Sequence, residues 1–316
     1  MEVLVVGNTA YVDDDFCAKA FPGDHVKVVA AAEARRDELS PHASWKELLQ
    51  HLEQAYEFDR VVYLSNYLTP HTDTMGDIEL LRSVFRACAD RRVQLLFVAG
   101  PAGAEGAADA ARQTGKGIIA RAANDLCRYY AAREGVQTKI LRVPFLYTAS
   151  AALEDPFFAP LFDACLTGSV ALQGAVDAAF PLLCAEELAV LVRRIFDSWD
   201  ASFETLDVAD AFHHTSGEVG EALQALFPGL SVAYGDSAGY ALPASDVVRV
   251  RYGWFQRYDL LRDLSTIQAR WDAGRAKKVN PLRAAIDRIQ MRTLPIKCLE
   301  TGVTWVLFEV LERLFS

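Results

Sequence analysis

Short apolar runs alternate with segments of helical spacing through the first half of the chain. Five runs are apolar at nearly every position and rich in β-branched residues, as in strands buried on both faces: EVLVVG (2–7), HVKVVA (25–30), RVVYLS (60–65), VQLLFVAG (93–100) and TKILRVPFLY (138–147). Three intervening segments carry apolar residues at helical spacing: SWKELLQHLEQAYEF (44–58), MGDIELLRSVFRACADR (75–91) and KGIIARAANDLCRYYAAREG (116–135). Strands joined by crossover helices form a parallel sheet covered on both faces. The pattern predicts an α/β fold with a doubly wound, parallel, Rossmann-like sheet.

The second half of the chain is mixed and predicts a smaller α/β C-terminal lobe. Helical spacing is found in PFFAPLFDACLTG, AEELAVLVRRIFDSW and SGEVGEALQALF, whereas ETLDVAD and LSVAYG are typical of short strands. The segment RYGWFQRYDLLRDL predicts a turn leading into a helix. We assign residues 1–150 to the Rossmann-like domain, with returning segments from 151–272, and residues 151–272 to the smaller lobe.

Residues 273–316 predict a basic, amphipathic helical extension. The run 275–297 carries seven basic residues and one acidic residue. In the segment 298–316 one wide apolar face is formed by Val303, Val306, Leu307, Val310, Leu311 and Leu314. The helix could fold back on its own domain or dock on another domain or subunit, and we carry the second interpretation forward. Contact of the basic run with a membrane surface is the least favoured alternative.

Composition narrows the class of protein. The chain has 316 residues, 52% of them hydrophobic and 23% charged, which describes a globular protein with a large core. The formal net charge of −10 argues against nucleic acid as a partner. No apolar run reaches the roughly 18–20 residues that span a bilayer, and the N-terminus enters a strand without the basic region of a signal peptide. The six cysteines are scattered without metal-ligand spacing, so we expect buried thiols in a reducing cytoplasm and no metal.

Several landmarks resemble the extended short-chain dehydrogenase/reductase family, specifically its NAD-dependent epimerase/dehydratase group. The segments EVLVVG, FDRVVYLSN, LLFVAG and TKILRVPFLY follow the strand order of that family, and the last is similar to its "TILRPxxVYG" segment. FPLLCAEELAVLV resembles "FVHVDDVA", and YGWFQRYDLLRDLSTIQARW resembles "LGWxPxxxLxxGLxxTxxW". The resemblance covers roughly residues 1–272. It implies NAD(P) as cofactor and a nucleoside-diphosphate sugar as substrate, bound between the sheet and the smaller lobe.

The cofactor loop departs from the family pattern GxxGxxG. Here the loop reads GNTAYVD: Gly7 keeps the first position, Ala10 takes the second, and Asp13 takes the third, followed by Asp14 and Asp15. A helix N-terminus attracts phosphate through free N–H groups and its dipole. We expect Asp13 or Asp14 to cap this helix, and such a carboxylate competes for the same N–H groups. The loop therefore predicts that NAD(P) is not bound in the usual way. The alternative is that the aspartates are solvated caps pointing away from an intact site.

A nucleotide, if it binds, is placed by the resemblance against residues that follow the strands. These residues are Gly7, Asn8, Thr9, Ala10, Leu64, Ser65, Asn66, Ala99, Gly100 and Pro144. They lie where the carboxyl ends of parallel strands meet, which is the ligand-binding edge of open α/β sheets.

The catalytic positions of the family also differ. The family transfers protons through a Tyr-x-x-x-Lys pair and a Ser or Thr hydroxyl. The Tyr and Lys positions fall on Lys116 and Ala120, and the hydroxyl positions fall on Ala99 and Gly100. No Tyr-x-x-x-Lys sequence occurs anywhere in the chain. The sequence therefore predicts no catalytic residue at these four positions.

Two functions follow from these observations. The first is an epimerase/dehydratase-like protein that has lost redox catalysis. It would act as a ligand-binding or scaffold module for a nucleotide or nucleotide-sugar, and segment 298–316 would couple it to another domain or subunit. The second is an active NAD(P)-dependent epimerase, dehydratase or reductase of nucleoside-diphosphate sugars with relocated catalytic residues.

Overall fold

The computed structural model describes most of the chain up to Val279. The described residues are 1–30, 58–65, 75–89, 91–100, 115–149, 155–172, 174–209, 211–236 and 246–279. The predicted helix 44–58, apart from Phe58, and the extension beyond Val279 lie outside them. None of the helices within these ranges is both long and apolar enough to cross a membrane.

Six parallel strands form the main sheet in the order β2-β1-β3-β4-β5-β9. Their bounds are Glu2–Gly7 (β1), His25–Ala30 (β2), Arg60–Leu64 (β3), Gln94–Ala99 (β4), Gln137–Arg142 (β5) and Phe203–Asp207 (β9). The register places Gly7 opposite Leu64, and Leu64 opposite Val98. All carboxyl ends therefore share one edge of the sheet. The predicted α/β class with a parallel Rossmann-like sheet is confirmed.

Eight helices lie within the described residues; some cover the two faces of this sheet and the others belong to the smaller lobe. The first five are Asp14–Ala20 (α1), Met75–Cys88 (α2), Gly115–Arg133 (α3), Phe158–Leu166 (α4) and Ala185–Asp197 (α5). The last three are Ser216–Leu226 (α6), Val247–Tyr252 (α7) and Leu260–Val279 (α8). One core cluster joins α1 and α5 to alternate strand positions such as Val5, and a second joins α2 and α3 to the opposite positions such as Leu4. This two-sided burial explains why the strands are apolar at nearly every position.

A third core lies in the smaller lobe. Two short parallel pairs belong to it, β6 (Phe145–Tyr147) with β8 (Leu182–Cys184) and β7 (Ser169–Leu172) with β10 (Ser231–Tyr234). Phe162 of α4 and Trp271 of α8 pack edge to face at its centre, with ring centroids 5.4 Å apart. The division of the chain near residue 150 stays a prediction.

The predicted strand 138–147 is wrong in one respect. It is two strands, β5 and β6, which belong to different sheets. The break falls at Val143 and Pro144, because proline has no N–H to donate to a strand ladder. This break turns the chain from the main sheet into the smaller lobe.

Candidate functional site

The candidate site lies at the carboxyl edge of the main sheet. β1 ends at Gly7, β3 at Leu64, β4 at Ala99 and β5 at Arg142. Ala99 is in register with Arg142, so these strand ends form one continuous row. Open α/β sheets bind ligands at such an edge. The structure thus brings together the predicted site residues that follow the strands.

The turn after β1 requires glycine. Gly7 has a φ of 106°, and a Cβ added there would lie 2.2 Å from the Leu64 carbonyl oxygen. The same carbonyl oxygen accepts a hydrogen bond of 2.8 Å from the N–H of the next residue, Asn8. The loop therefore crosses the end of β3 at a distance that only glycine allows.

The rest of the loop forms its own hydrogen bonds. Thr9–Tyr11 is a single 3-10 turn, and the Val12 N–H donates to the Thr9 carbonyl at 2.9 Å. Tyr11 is buried, and its hydroxyl has no hydrogen-bond partner among the described residues. Burial raises the pKa of this hydroxyl.

Asp13 caps α1. Its carboxylate accepts a hydrogen bond of 2.7 Å from the Phe16 N–H, as predicted for Asp13 or Asp14. Asp13, Asp14 and Asp15 are all exposed, and α1 begins at Asp14, seven positions after Gly7. The beginning of this helix is therefore negatively charged and already supplied with an acceptor.

The remaining predicted pocket residues line the same edge. Ser65 is fully buried, and its N–H donates to the Val98 carbonyl at 3.0 Å. The Ser65 hydroxyl and the Asn8 side-chain nitrogen are buried without a partner in the described part of the chain. Gly100 and Pro144 are buried beside β4 and β5, whereas Asn66 lies outside the described residues.

Two of the four positions that correspond to the family's catalytic groups carry only a methyl group. Ala99 ends β4 and is buried, and Gly100 follows it. Lys116 lies in the first turn of α3, and Ala120 lies one turn further, with 3% of its surface exposed. Methyl groups at Ala99 and Ala120 can neither donate nor accept a proton.

The sequence showed neither of two polar groups near the edge, the buried Asp155 carboxylate and the ion pair of Arg142 with Asp207. Asp155 is 1% exposed and accepts hydrogen bonds from Thr148, Phe157 and Phe158. Burial raises the pKa of this carboxyl, and the hydrogen bonds oppose that rise. An aspartate followed by proline before a helical pattern is a helix-start signal that could have found it.

The second group is an ion pair that joins the ends of β5 and β9. The Arg142 guanidinium donates to both oxygens of Asp207, at 2.5 and 2.8 Å, and is almost fully buried. A bidentate pair of this kind already satisfies the cation. Arg142 therefore serves the sheet rather than a phosphate group. Within the described ranges, no three His, Cys, Asp or Glu side chains are grouped as metal ligands.

The helix cap gives a testable prediction. Replacing Asp13 by alanine is expected to lower the free energy of unfolding by about 1 kcal/mol, because the Phe16 N–H loses its acceptor. Thr215→Ala is the matched control, since Thr215 caps α6 in the smaller lobe by the same kind of bond. Urea denaturation of both variants measures the two losses. An unchanged Asp13→Ala midpoint beside a lowered Thr215→Ala midpoint would contradict the capping role.

Comparison with known proteins finds likeness in structure. No protein-family model and no curated protein matches the chain. The UDP-glucose 4-epimerase of Thermotoga maritima, solved with UDP-glucose, matches at a TM-score of 0.64 and 13% identity, covering 87% of this chain and 100% of that one. The dTDP-glucose 4,6-dehydratase of Bacillus anthracis, solved with NAD, matches at 0.63 and 14%, covering 89% and 97%. A short-chain dehydrogenase/reductase superfamily protein of Agrobacterium tumefaciens with bound NAD matches at 0.62 and 14%, covering 89% and 99%.

Proposed function

We propose that this chain, which has the fold of NAD-dependent sugar epimerases and dehydratases, has lost redox catalysis. It serves instead as a ligand-binding or regulatory module for a nucleotide or nucleotide-sugar. The observation that carries the proposal is the hydrogen bond between the Asp13 carboxylate and the Phe16 N–H. That bond uses a helix-start donor which a dinucleotide pyrophosphate would need.

The loop residues do not fit a pyrophosphate. Phosphate binding at a strand–helix turn depends on free backbone N–H groups. The N–H groups of Asn8, Val12 and Phe16 each have an acceptor within the protein. The exposed carboxylate of Asp14 adds repulsion for an anion at the same place, whereas that of Asp15 is paired with Lys19.

Two buried tyrosines of the described residues are poor substitutes for the missing proton relay. A catalytic tyrosine needs a lowered pKa to exchange its proton near neutrality. Burial instead raises the pKa of two tyrosines close to the candidate site along the chain, Tyr11 and Tyr147. With Ala99 and Ala120 at the family positions, the proposal assigns no proton-transfer role to the site.

The edge retains features that suit a smaller ligand. The Ser65 hydroxyl and the Asn8 amide nitrogen are buried polar atoms without partners among the described residues, so a bound hydroxyl or carbonyl group would satisfy them. A matching epimerase structure contains UDP-glucose, which supports a nucleotide-sugar as the ligand. Segment 298–316 is proposed to couple the module to another domain or subunit through the apolar face of its sequence.

The second candidate is an active NAD(P)-dependent enzyme with relocated catalytic residues. The NAD present in two of the matching structures favours it, as does the retained Gly7 turn. It requires the Asp13 cap to open so that the Phe16 N–H can reach a phosphate.

Titration distinguishes the two candidates. The wild-type protein is titrated with NADH and NADPH, with nicotinamide fluorescence as the signal, and with UDP-glucose, with the melting temperature as the signal. The proposal expects no saturable NADH or NADPH binding up to millimolar concentration and a raised melting temperature with UDP-glucose. Micromolar binding of either dinucleotide would support the enzyme and contradict the proposal. If UDP-glucose did not raise the melting temperature, the nucleotide-sugar would be excluded as the ligand and only the scaffold role would remain.

A further inference from the structure

His213 has an unusual backbone conformation. With a φ of 55°, it is the one non-glycine residue with a positive φ in the described part of the chain. Residues with a Cβ rarely adopt this region, and such a conformation persists where the surrounding structure holds it. His213 also lines a cavity of about 880 Å³. A strained residue and a large cavity thus occur at the same place.

Hydrogen bonds fix the chain on both sides of His213. The Ala211 N–H donates to the Gln256 side chain at 3.1 Å, and buried Gln256 in turn donates to the Leu182 carbonyl at 2.9 Å. On the other side, His214 Nε2 lies 3.0 Å from Asp259 Oδ1. These bonds fix the segment 211–214 so that the strained conformation is maintained.

Part of the cavity lining is apolar and aromatic. Ala209, Ala211 and Val248 supply methyl groups, and Trp254 and Phe255 supply aromatic rings. Phe255 is 51% exposed, and Arg257 lies over its ring at 5.0 Å from the centroid, so part of the ring is available to a ligand.

Two groups can meet a negative charge on the ligand. Arg249 is exposed, and its pair with Asp246 at 3.0 Å spans three residues of chain at the surface, where such pairs are weak. The His213 imidazole has no hydrogen bond to any described residue and supplies a second donor when protonated.

The cavity is distinct from the candidate site at Gly7. Ala209 and His213 follow β9, and β9 lies four strands from β1 in the sheet. At about 4.8 Å between neighbouring strands, this places the cavity about 19 Å from Gly7 across the sheet, whereas β9 directly neighbours β5 at the other end of the candidate edge.

We infer that this cavity binds a small molecule in which a planar ring carries an anionic group, either a carboxylate or a phosphate. The ring packs on Phe255, and the anion is held by Arg249 and His213. The volume lies within the range of small-molecule sites. The inference is independent of the proposed function, because it uses none of the residues near Gly7.

Calorimetric titration with two probes tests the inference. 4-Hydroxybenzoate represents an aromatic carboxylate, uridine 5′-monophosphate represents a nucleotide, and inorganic phosphate alone is the comparison. We expect one of the first two to bind and phosphate alone to bind more weakly. Arg249→Gln is expected to weaken that binding about tenfold, because it removes a charge-assisted hydrogen bond. Arg193→Gln is the matched control, since Arg193 forms a similar exposed pair with Asp197 and does not line the cavity.

His213→Gly separates a binding role from a structural one. Glycine adopts a positive φ without strain, so the melting temperature is expected to stay the same or rise while the probe binds more weakly. Failure of both probes to bind at millimolar concentration would overturn the inference. Equal binding by the Arg249→Gln and Arg193→Gln variants, or unchanged binding by His213→Gly, would overturn it as well.

Discussion

Replacing Gly7 by alanine is expected to lower the free energy of unfolding by about 3–5 kcal/mol, a large loss for a single methyl group. The added Cβ would lie 2.2 Å from the Leu64 carbonyl oxygen, which is backbone and cannot turn away. The φ of 106° adds strain of its own. Thermal unfolding would show the loss as a drop of about 10 °C in melting temperature.

Gly23→Ala is the control for Gly7→Ala. Gly23 also has a positive φ, of 82°, but an added Cβ there meets nothing within 4 Å. This variant carries the conformational strain without the collision and is expected to lose about 1 kcal/mol. Equal losses in the two variants would show that the crossing of Gly7 over the end of β3 is looser than the structure has it.

Restoring the family lysine at position 120 is expected to destabilise the protein. Ala120→Lys would place an ammonium group where 3% of the alanine is exposed, at an expected loss of about 2–4 kcal/mol of unfolding free energy. No gain in NADH binding is expected, because the Asp13 cap is unchanged. Urea denaturation and the NADH fluorescence titration measure the two effects.

The matched control for Ala120→Lys lies two residues further along the same helix. Ala122 is exposed, so Ala122→Lys adds the same side chain to α3 at the surface and is expected to change stability by less than about 0.5 kcal/mol. If Ala120→Lys proved as stable as Ala122→Lys and bound NADH, position 120 would face a working cofactor site. The proposed block of dinucleotide binding by the Asp13 cap would then be wrong.

The main sheet could be predicted because its signal is local. Strands such as β1 and β3 are buried on both faces, so nearly every position is apolar and the run is readable without knowing its neighbours. The break between β5 and β6 was missed because an apolar run does not show which sheet each half joins. Pro144 was the available signal.

The candidate site was predictable only where a few neighbouring residues determine it. The Asp13 cap depends on a contact three residues away, so the sequence showed it. Lys139, which lies outside the candidate site, is different: it is fully buried in β5, and its ammonium donates to Asp200, Glu204 and the Tyr252 hydroxyl at 2.9–3.0 Å. These partners lie 61 to 113 residues along the chain, and no local pattern reports them.

The backbone conformation of His213 also depends on residues far along the chain. Histidine gives only a weak sequence signal for a positive φ, and the bonds that hold its neighbours Ala211 and His214 come from Gln256 and Asp259. Glycine at position 7 was readable because the resemblance assigned it to a tight turn. The contact with Leu64 that makes glycine necessary there emerged only from the structure.

A crystal structure of the protein grown with millimolar NAD is the most direct test of the central claim, that carboxylates occupy the place of the cofactor's phosphates. We predict that the Asp13 carboxylate remains hydrogen-bonded to the Phe16 N–H and that no dinucleotide crosses the Gly7 turn. A pyrophosphate lying across Gly7 to Ala10, with the Phe16 N–H turned from Asp13 to the ligand, would contradict the account.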